Sequence, residues 1–411
     1  MNKLCDDTNN IILSFLMKEH LSEKNFNPLY LSNEMLILSL TSKYWKKIIS
    51  CYIAEYKKKR PNLYITRTNI ITNASGEGHI NILEWYKNSG SEFMCVEDGI
   101  SMASKNGQID VLKWWKNLCT KSEYKFKYNT YAINYASQYG HINILEWWKN
   151  SGYNFKYDDK VLFYAIIGGY INVLEWWLNL CKIRRTEFKY NESAVRNACI
   201  YGHIHILEWF SNLCKNSDYE FKYDESAVRD ACIHGHIDVL EWFSIKSEYE
   251  FKYDEEALEY ASDNIYVLEW WKHSGYKLKY SERVVDAASR LGLVNVLEWW
   301  KNLCENSEYE FKYSVHAVND ASQYGHIKIL EWWKNLCKQS GYELKYCCGS
   351  MNYASINGHI DVLEWWKQSG YNLEYDMYNF KAIPASSAEW WKNSGLKYNG
   401  YIPMISDNFD Y

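Results

Sequence analysis

Gly140-His141-Ile142-Asn143-Ile144-Leu145-Glu146-Trp147-Trp148-Lys149-Asn150-Ser151-Gly152 recurs, with variation, from residue 78 nearly to the C-terminus. Self-similarity at a fixed period sets the architecture, because each copy can bury its apolar side only against the next copy. The first tryptophan of each copy falls at residues 85, 114, 147, 176, 209, 242, 270, 299, 332, 365 and 390, and two spacings dominate, 29 and 33. The difference lies after the tryptophans: Asn150-Ser151-Gly152-Tyr153 is short, whereas Asn212-Leu213-Cys214-Lys215-Asn216-Ser217-Asp218-Tyr219 is long. The extra length is close to one helical turn of about 3.6 residues, so it extends a helix without turning its buried face away.

Each copy reads as two helices. Helix A opens at a short polar residue (Asn129, Asp158, Asn191, Asp224, Asp254, Ser281, Ser314), the type that accepts the free amide hydrogens of a first turn. An alanine column follows (Ala136, Ala165, Ala198, Ala231, Ala261, Ala288, Ala321, Ala354), with an apolar residue three positions before it and often a small one four before it. Those positions share a helical face and let neighbouring helices approach closely. A glycine column (Gly107, Gly140, Gly202, Gly235, Gly325, Gly358) ends helix A, as left-handed backbone requires. Helix B then reads Ile, polar, Ile or Val, Leu, Glu, Trp, Trp, and Phe-Lys-Tyr forms an extended connector to the next copy.

The 411 residues are 47% apolar and 17% aromatic, and 19 of the 20 tryptophans lie in the copies. Net charge is −5 with Lys and Glu interleaved, against the basic stripe a general nucleic-acid binder needs. No apolar run reaches the roughly 18 residues of a membrane span. Met1 to Asn10 is polar with Asp6 and Asp7, unlike a signal peptide, so an intracellular, cytoplasmic protein with no membrane partner is expected.

Cys119, Cys181, Cys214, Cys304 and Cys337 occupy one column, and Cys199 and Cys232 another. Equivalent atoms in stacked copies lie roughly 8–10 Å apart, too far for a disulfide, so these read as packing thiols. Cys347-Cys348 lacks a second pair at zinc spacing and reads as packing too. His79, His141, His203, His236, His326 and His359 share one column and read as turn stabilisers rather than metal ligands. No phosphate-cradling loop or nucleophile elbow is present, so no enzyme activity, cofactor or metal is expected.

Ser226-Ala227-Val228-Arg229-Asp230-Ala231-Cys232-Ile233-His234-Gly235-His236-Ile237-Asp238-Val239-Leu240 resembles the ankyrin repeat in its alanine, Gly-His and apolar pairs, without the Thr-Pro-Leu-His opening. That resemblance implies an all-α, ankyrin-like helix-turn-helix solenoid of about ten repeats over residues 69–373. A degenerate cap and tail follow at 374–411, with Pro384 where helix should run. Short copies lose about four residues where ankyrins place a β-hairpin finger, so long fingers are not expected. Within residues 1–68, Leu36-Ile37-Leu38-Ser39-Leu40-Thr41-Ser42-Lys43-Tyr44-Trp45 resembles an F-box, through Leu36, Leu40, Tyr44 and Trp45, which would dock a Skp-type adaptor of cullin ubiquitin ligases. The other reading of 1–68 is a plain helical cap. Trp-rich, Asn/Lys/Ile-rich arrays of this kind resemble those of large DNA viruses that infect amoebae, which would place the protein in a host cell.

Function is read from variation among the copies. Tyr135, Gln138, Tyr139, Arg196, Asn197, Tyr201, Arg229, Asp230, His234, Asp286, Arg290, Asn319, Asp320, Gln323 and Tyr324 occupy helix A positions that keep no fixed residue type. Such a face is expected to be free of stacking duties and to suit an unidentified partner protein. Together these readings point to a non-enzymatic interaction scaffold, with ubiquitin-ligase recruitment if residues 1–68 are an F-box. The alternative from a different class is a Trp/Tyr-lined solenoid for carbohydrate or single-stranded nucleic acid, in which the tryptophan pairs would form an exposed stacking ladder.

Overall fold

Alanine and leucine in the buried columns, glycine at the turns and tryptophan at the joints produce an all-α architecture of repeated helix pairs. The computed structural model describes residues 67–88, 96–158, 160–376 and 383–396, and no strand occurs among them. The chain divides into two units, Met1–Tyr190 and Asn191–Tyr411.

In the first unit the A helices are α1 (Arg67–Gly76), α3 (Glu97–Lys105), α5 (Tyr131–Gln138) and α7 (Val161–Gly168). The B helices are α2 (Ile80–Asn88), α4 (Ile109–Lys121), α6 (Ile142–Asn150) and α8 (Ile171–Arg184). In the second unit the A helices are α9 (Glu192–Ile200), α11 (Glu225–Ile233), α13 (Glu256–Tyr260), α15 (Arg283–Arg290), α17 (His316–Gln323) and α19 (Gly349–Asn357). Its B helices are α10 (Ile204–Lys215), α12 (Ile237–Glu241, continued by π-helical Trp242–Lys246), α14 (Ile265–His273), α16 (Val294–Glu305), α18 (Ile327–Ser340), α20 (Ile360–Gln368) and α21 (Ala385–Asn393). Within each unit every A helix packs on the next A helix. The two spacings are explained by helix B: α6, α14 and α20 have nine residues, whereas α10 and α16 have twelve and α18 fourteen.

The apolar columns form the core. Ala136, Ala231, Ala321 and their equivalents are fully buried, as are Leu145, Leu240 and Leu330. The second tryptophan of each pair inserts between copies. Its indole N–H donates to the residue after the alanine column of the preceding copy: Trp148 to Ser104 at 3.2 Å, Trp177 to Ser137 at 3.1 Å, Trp333 to Ser289 at 3.2 Å and Trp366 to Ser322 at 3.1 Å. A buried indole N–H needs such a partner. Where the preceding copy offers a thiol the residue varies: Phe243 stands at the Cys199 joint, whereas Trp271 donates to Cys232 Sγ at 3.4 Å.

The first tryptophan makes a second rung, donating to the helix B glutamate of the preceding copy. Trp114 reaches Glu84 at 2.7 Å, Trp176 reaches Glu146 at 2.5 Å and Trp365 reaches Glu331 at 2.6 Å. The indole bond holds Glu146 below its usual carboxylate range, with Lys149 adding to the effect against the opposing influence of burial. The Phe-Lys-Tyr connectors make a third. Tyr253 and Tyr313 donate their hydroxyls to the carbonyls of Lys277 and Glu343, while Lys279 and Lys345 sit 4.1 and 4.3 Å from the Tyr253 and Tyr313 ring centres. A cation over an aromatic face is favourable even when half exposed.

The turn column makes a fourth rung. Gly202 and Gly325 have φ of 68° and 77°, and a Cβ at either would lie 2.6 or 2.8 Å from the ring of His236 or His359. His236 and His326 bond through Nε2 to the carbonyls of Ile200 and Arg290 at 3.0 and 2.9 Å. Those histidines therefore join a turn to the preceding copy, as a stabilising role requires.

Two copies depart from the pattern. Helix α13 has only five residues, and Asn264 replaces Gly-His, capping the amides of Tyr266 and Val267 with its own side chain. One joint later, the indole N–H of Trp300 is buried without a partner. At the C-terminal copy, Pro384 does not interrupt a helix as expected. It sits at the N-cap of α21, its ring 3.5 Å from where a Gly358 Cβ would be, in the place a histidine takes elsewhere. Trp391 still donates to Ser355 at 2.9 Å, so this copy keeps its helix B and joint.

Candidate functional site

The variable helix A face separates into two populations. The column two residues before the alanine is not free of stacking duties. Asn134 donates to Asp158 at 3.0 Å, Arg229 to Asp254 at 3.4 Å and also to Glu256, and Ser281 donates to Glu259. Asp286 accepts from the Ser314 amide at 3.0 Å and from its hydroxyl, and Asn319 accepts from the Ser350 hydroxyl at 2.6 Å. Asn134 and Arg229 thus face acids, and Glu259 and Asp286 face serines, at the opening of the next helix A, whereas Arg196 reaches Asp230 within it. The residue type varies because the pairing varies.

This corrects the reading of Asn197, Asp230, Asp286 and Asn319 as partner-facing residues. All four are buried. Asn197 donates to the carbonyl of Ser193 one turn back, at 2.5 Å. Asp230 is the partner of Arg196, the side chains being 6% and 47% exposed respectively. Arg229 is mostly enclosed by its two acids. Burial raises Asp286 above the usual carboxylate range against the lowering effect of Ser314, because desolvation disfavours the charge. Reversing Arg196 to glutamate is expected to cost about 2 kcal/mol of stability, discounted for its open side, by setting a second carboxylate against buried Asp230. Urea unfolding of Arg196→Glu measures this, and an unchanged midpoint would contradict the pairing.

The second population faces outward. Tyr139, Tyr201, His234, Arg290 and Tyr324 are exposed, and Tyr135, Gln138, Asp320 and Gln323 are half-buried. Burial also raises Asp320, partly offset by nearby His316 and Arg290. The densest group lies in the first unit, on α5 and α7. Tyr131 is 50% exposed and stacks on Tyr135 with ring centres 5.7 Å apart, and Tyr135 meets Tyr139, 39% exposed, edge to face at 6.5 Å. Tyr131, Tyr135 and Tyr139 follow at i, i+4 and i+8, so α5 displays them along one stripe. Tyr164 of α7 adjoins them. Burial first, then the charge of Asp158, then Tyr131 and Tyr135 push its hydroxyl pKa up. Phe163 is exposed beside it. Lys105 caps one end, 5.1 Å from the Tyr139 ring centre. Phe163 belongs to the variable column two residues before the alanine, whereas Tyr131 went unnoticed in the sequence, although the four-residue spacing of Tyr131, Tyr135 and Tyr139 was visible there.

No tryptophan side chain among the described residues with assigned burial is exposed. The indoles fill joints between copies, so they form no outward stacking ladder. No group of three or more His, Cys, Asp or Glu among the described residues is placed to hold a metal ion. None of the described helices is long and apolar enough to cross a membrane. The F-box-like residues Leu36, Leu40, Tyr44 and Trp45 lie outside the described residues.

No family model matches this chain. No curated protein matches it either. Among solved structures, the human ASB11 ankyrin repeat domain is similar at 15% identity, with 51% of this chain and 86% of that chain covered and a TM-score of 0.25. A likeness at that level carries nothing further. The assignment to ankyrin-like helix pairs rests on the helices, glycine turns and joints described above.

Proposed function

We propose that this chain is a non-enzymatic scaffold that binds a partner protein on its helix A face, centred on the tyrosine stripe of α5 and α7. The observation that carries this reading is the stripe itself. Tyr131, Tyr139 and Phe163 keep their rings in solvent while the aromatic side chains at the joints are largely enclosed. Tyrosine gives large, rigid contact area at low entropic cost, which is why it is over-used at protein-binding surfaces. The F-box-like stretch in residues 1–68 would make the bound partner a candidate for ubiquitination through a Skp-type adaptor, inside a cell.

Affinity capture with the full chain and with a Tyr131→Ala/Tyr135→Ala/Tyr139→Ala variant tests the binding face. Loss of a captured protein by roughly tenfold or more is expected, with the melting temperature little changed because the three rings are not at a joint. Equal capture by both forms would sink the reading. Capture of the adaptor with residues 1–68 deleted tests the second element separately.

A further inference from the structure

Cys347-Cys348 stands at the opening of α19. In the copies from α5 to α17, and again after α20, the residue at the Cys347 position carries an oxygen acceptor: Asn129, Asp158, Asn191, Asp224, Asp254, Ser281, Ser314 and Asp376, whereas α3 has Val96 there. Cys347 does that work with sulfur. Its Sγ accepts from Asn319 Nδ2 at 2.9 Å and from the Gly349 amide at 3.4 Å, while its own amide donates to Asn319 Oδ1 at 3.3 Å. The matching contact in the first unit is Asn134 Nδ2 to the Asp158 carboxylate at 3.0 Å. So the chain has set a nucleophilic atom in a slot it elsewhere fills with carboxylate or hydroxyl oxygen.

The second thiol makes this more than a substituted cap. Cys348 is the N-cap residue of α19 and follows Cys347 directly in the chain. Both side chains are half-buried and so reachable from solvent. The other described cysteines form no disulfide and are spread along repeat columns. Column neighbours roughly 8–10 Å apart cannot share a small ligand. With no three-residue metal cluster at hand among the described residues, the pair suits a centre that takes two sulfurs.

We infer that Cys347 and Cys348 form a vicinal dithiol site for a soft, thiophilic ligand of the trivalent arsenical class. With phenylarsine oxide, two S–H bonds and the As–O linkage break, two As–S bonds form, and both protons leave with the oxygen as one water. Nothing is oxidised or reduced. The adduct withdraws the Cys347 sulfur from Asn319, so occupancy of the site reports directly on the joint between α17 and α19.

Intact-mass measurement of the folded full chain with phenylarsine oxide, followed by peptide mapping, tests this. The expected result is an adduct mapped to 347–348 that survives a monothiol and is removed by a dithiol. It should be lost in both Cys347→Asp and Cys348→Ser. Cys347→Asp installs the residue present in sister copies and should keep the native tryptophan fluorescence, so loss of the adduct there cannot be put down to unfolding. An adduct that persists in either variant, or a folded protein that takes none at this position, overturns the assignment.

Discussion

Trp333→Ala is expected to destabilise the second unit by about 3–5 kcal/mol, the range for emptying a fully buried aromatic site. Trp333 is 0% exposed and packs against Tyr313 with ring centres 4.7 Å apart, so its removal leaves a cavity walled by two copies. It also takes away the bond to Ser289, leaving that buried hydroxyl without its donor. Trp333→Phe loses the same bond but leaves a smaller cavity, so it should cost less, about 1–3 kcal/mol. Urea unfolding followed by fluorescence separates the two variants. Equal effects would mean that cavity volume is not what matters at the joint.

Gly325→Val comes second, at about 2–4 kcal/mol. The backbone at 325 is left-handed, φ 77°, which costs a residue with a Cβ roughly 1–2 kcal/mol and a β-branched one more. The new Cβ would also lie 2.8 Å from the His359 ring. These two costs can be told apart. In a His359→Ala background the clash is gone but the backbone strain is not, so Gly325→Val should cost less there than in the native chain and still cost something. No cost at all in that background would show that the turn does not need a left-handed residue.

Much of this fold could be read from columns. The 29- and 33-residue spacings predict a short and a long class of helix B, and both occur, nine residues in α6 and twelve to fourteen in α10, α16 and α18, because a whole extra turn leaves Leu and Trp pointing at the same neighbour. Gly202 and Gly325 predict left-handed turns, and both have them. Pro384 was misread because a proline just before a helix and one inside it look alike in a degenerate copy.

The candidate site was half legible. A column that changes residue type looks free when read alone. Arg229, Glu259 and Asp286 change because their partners change with them, to Asp254, Ser281 and Ser314. Those partners lie 25, 22 and 28 residues away, so only two columns read side by side reveal the match. The aromatic stripe of α5 was partly visible because it is local: Tyr131, Tyr135 and Tyr139 lie within nine consecutive residues, and no distant partner is needed to see them.

All of this depends on copies being held by their immediate neighbours, as stability summed over adjacent joints requires. Native-state hydrogen exchange on Trp333→Ala tests that most directly. Protection should fall in α15 to α20, whose joints the cavity adjoins, while α3 to α6 in the other unit exchange as in the unaltered chain. A uniform loss of protection along all the described helices would contradict the account.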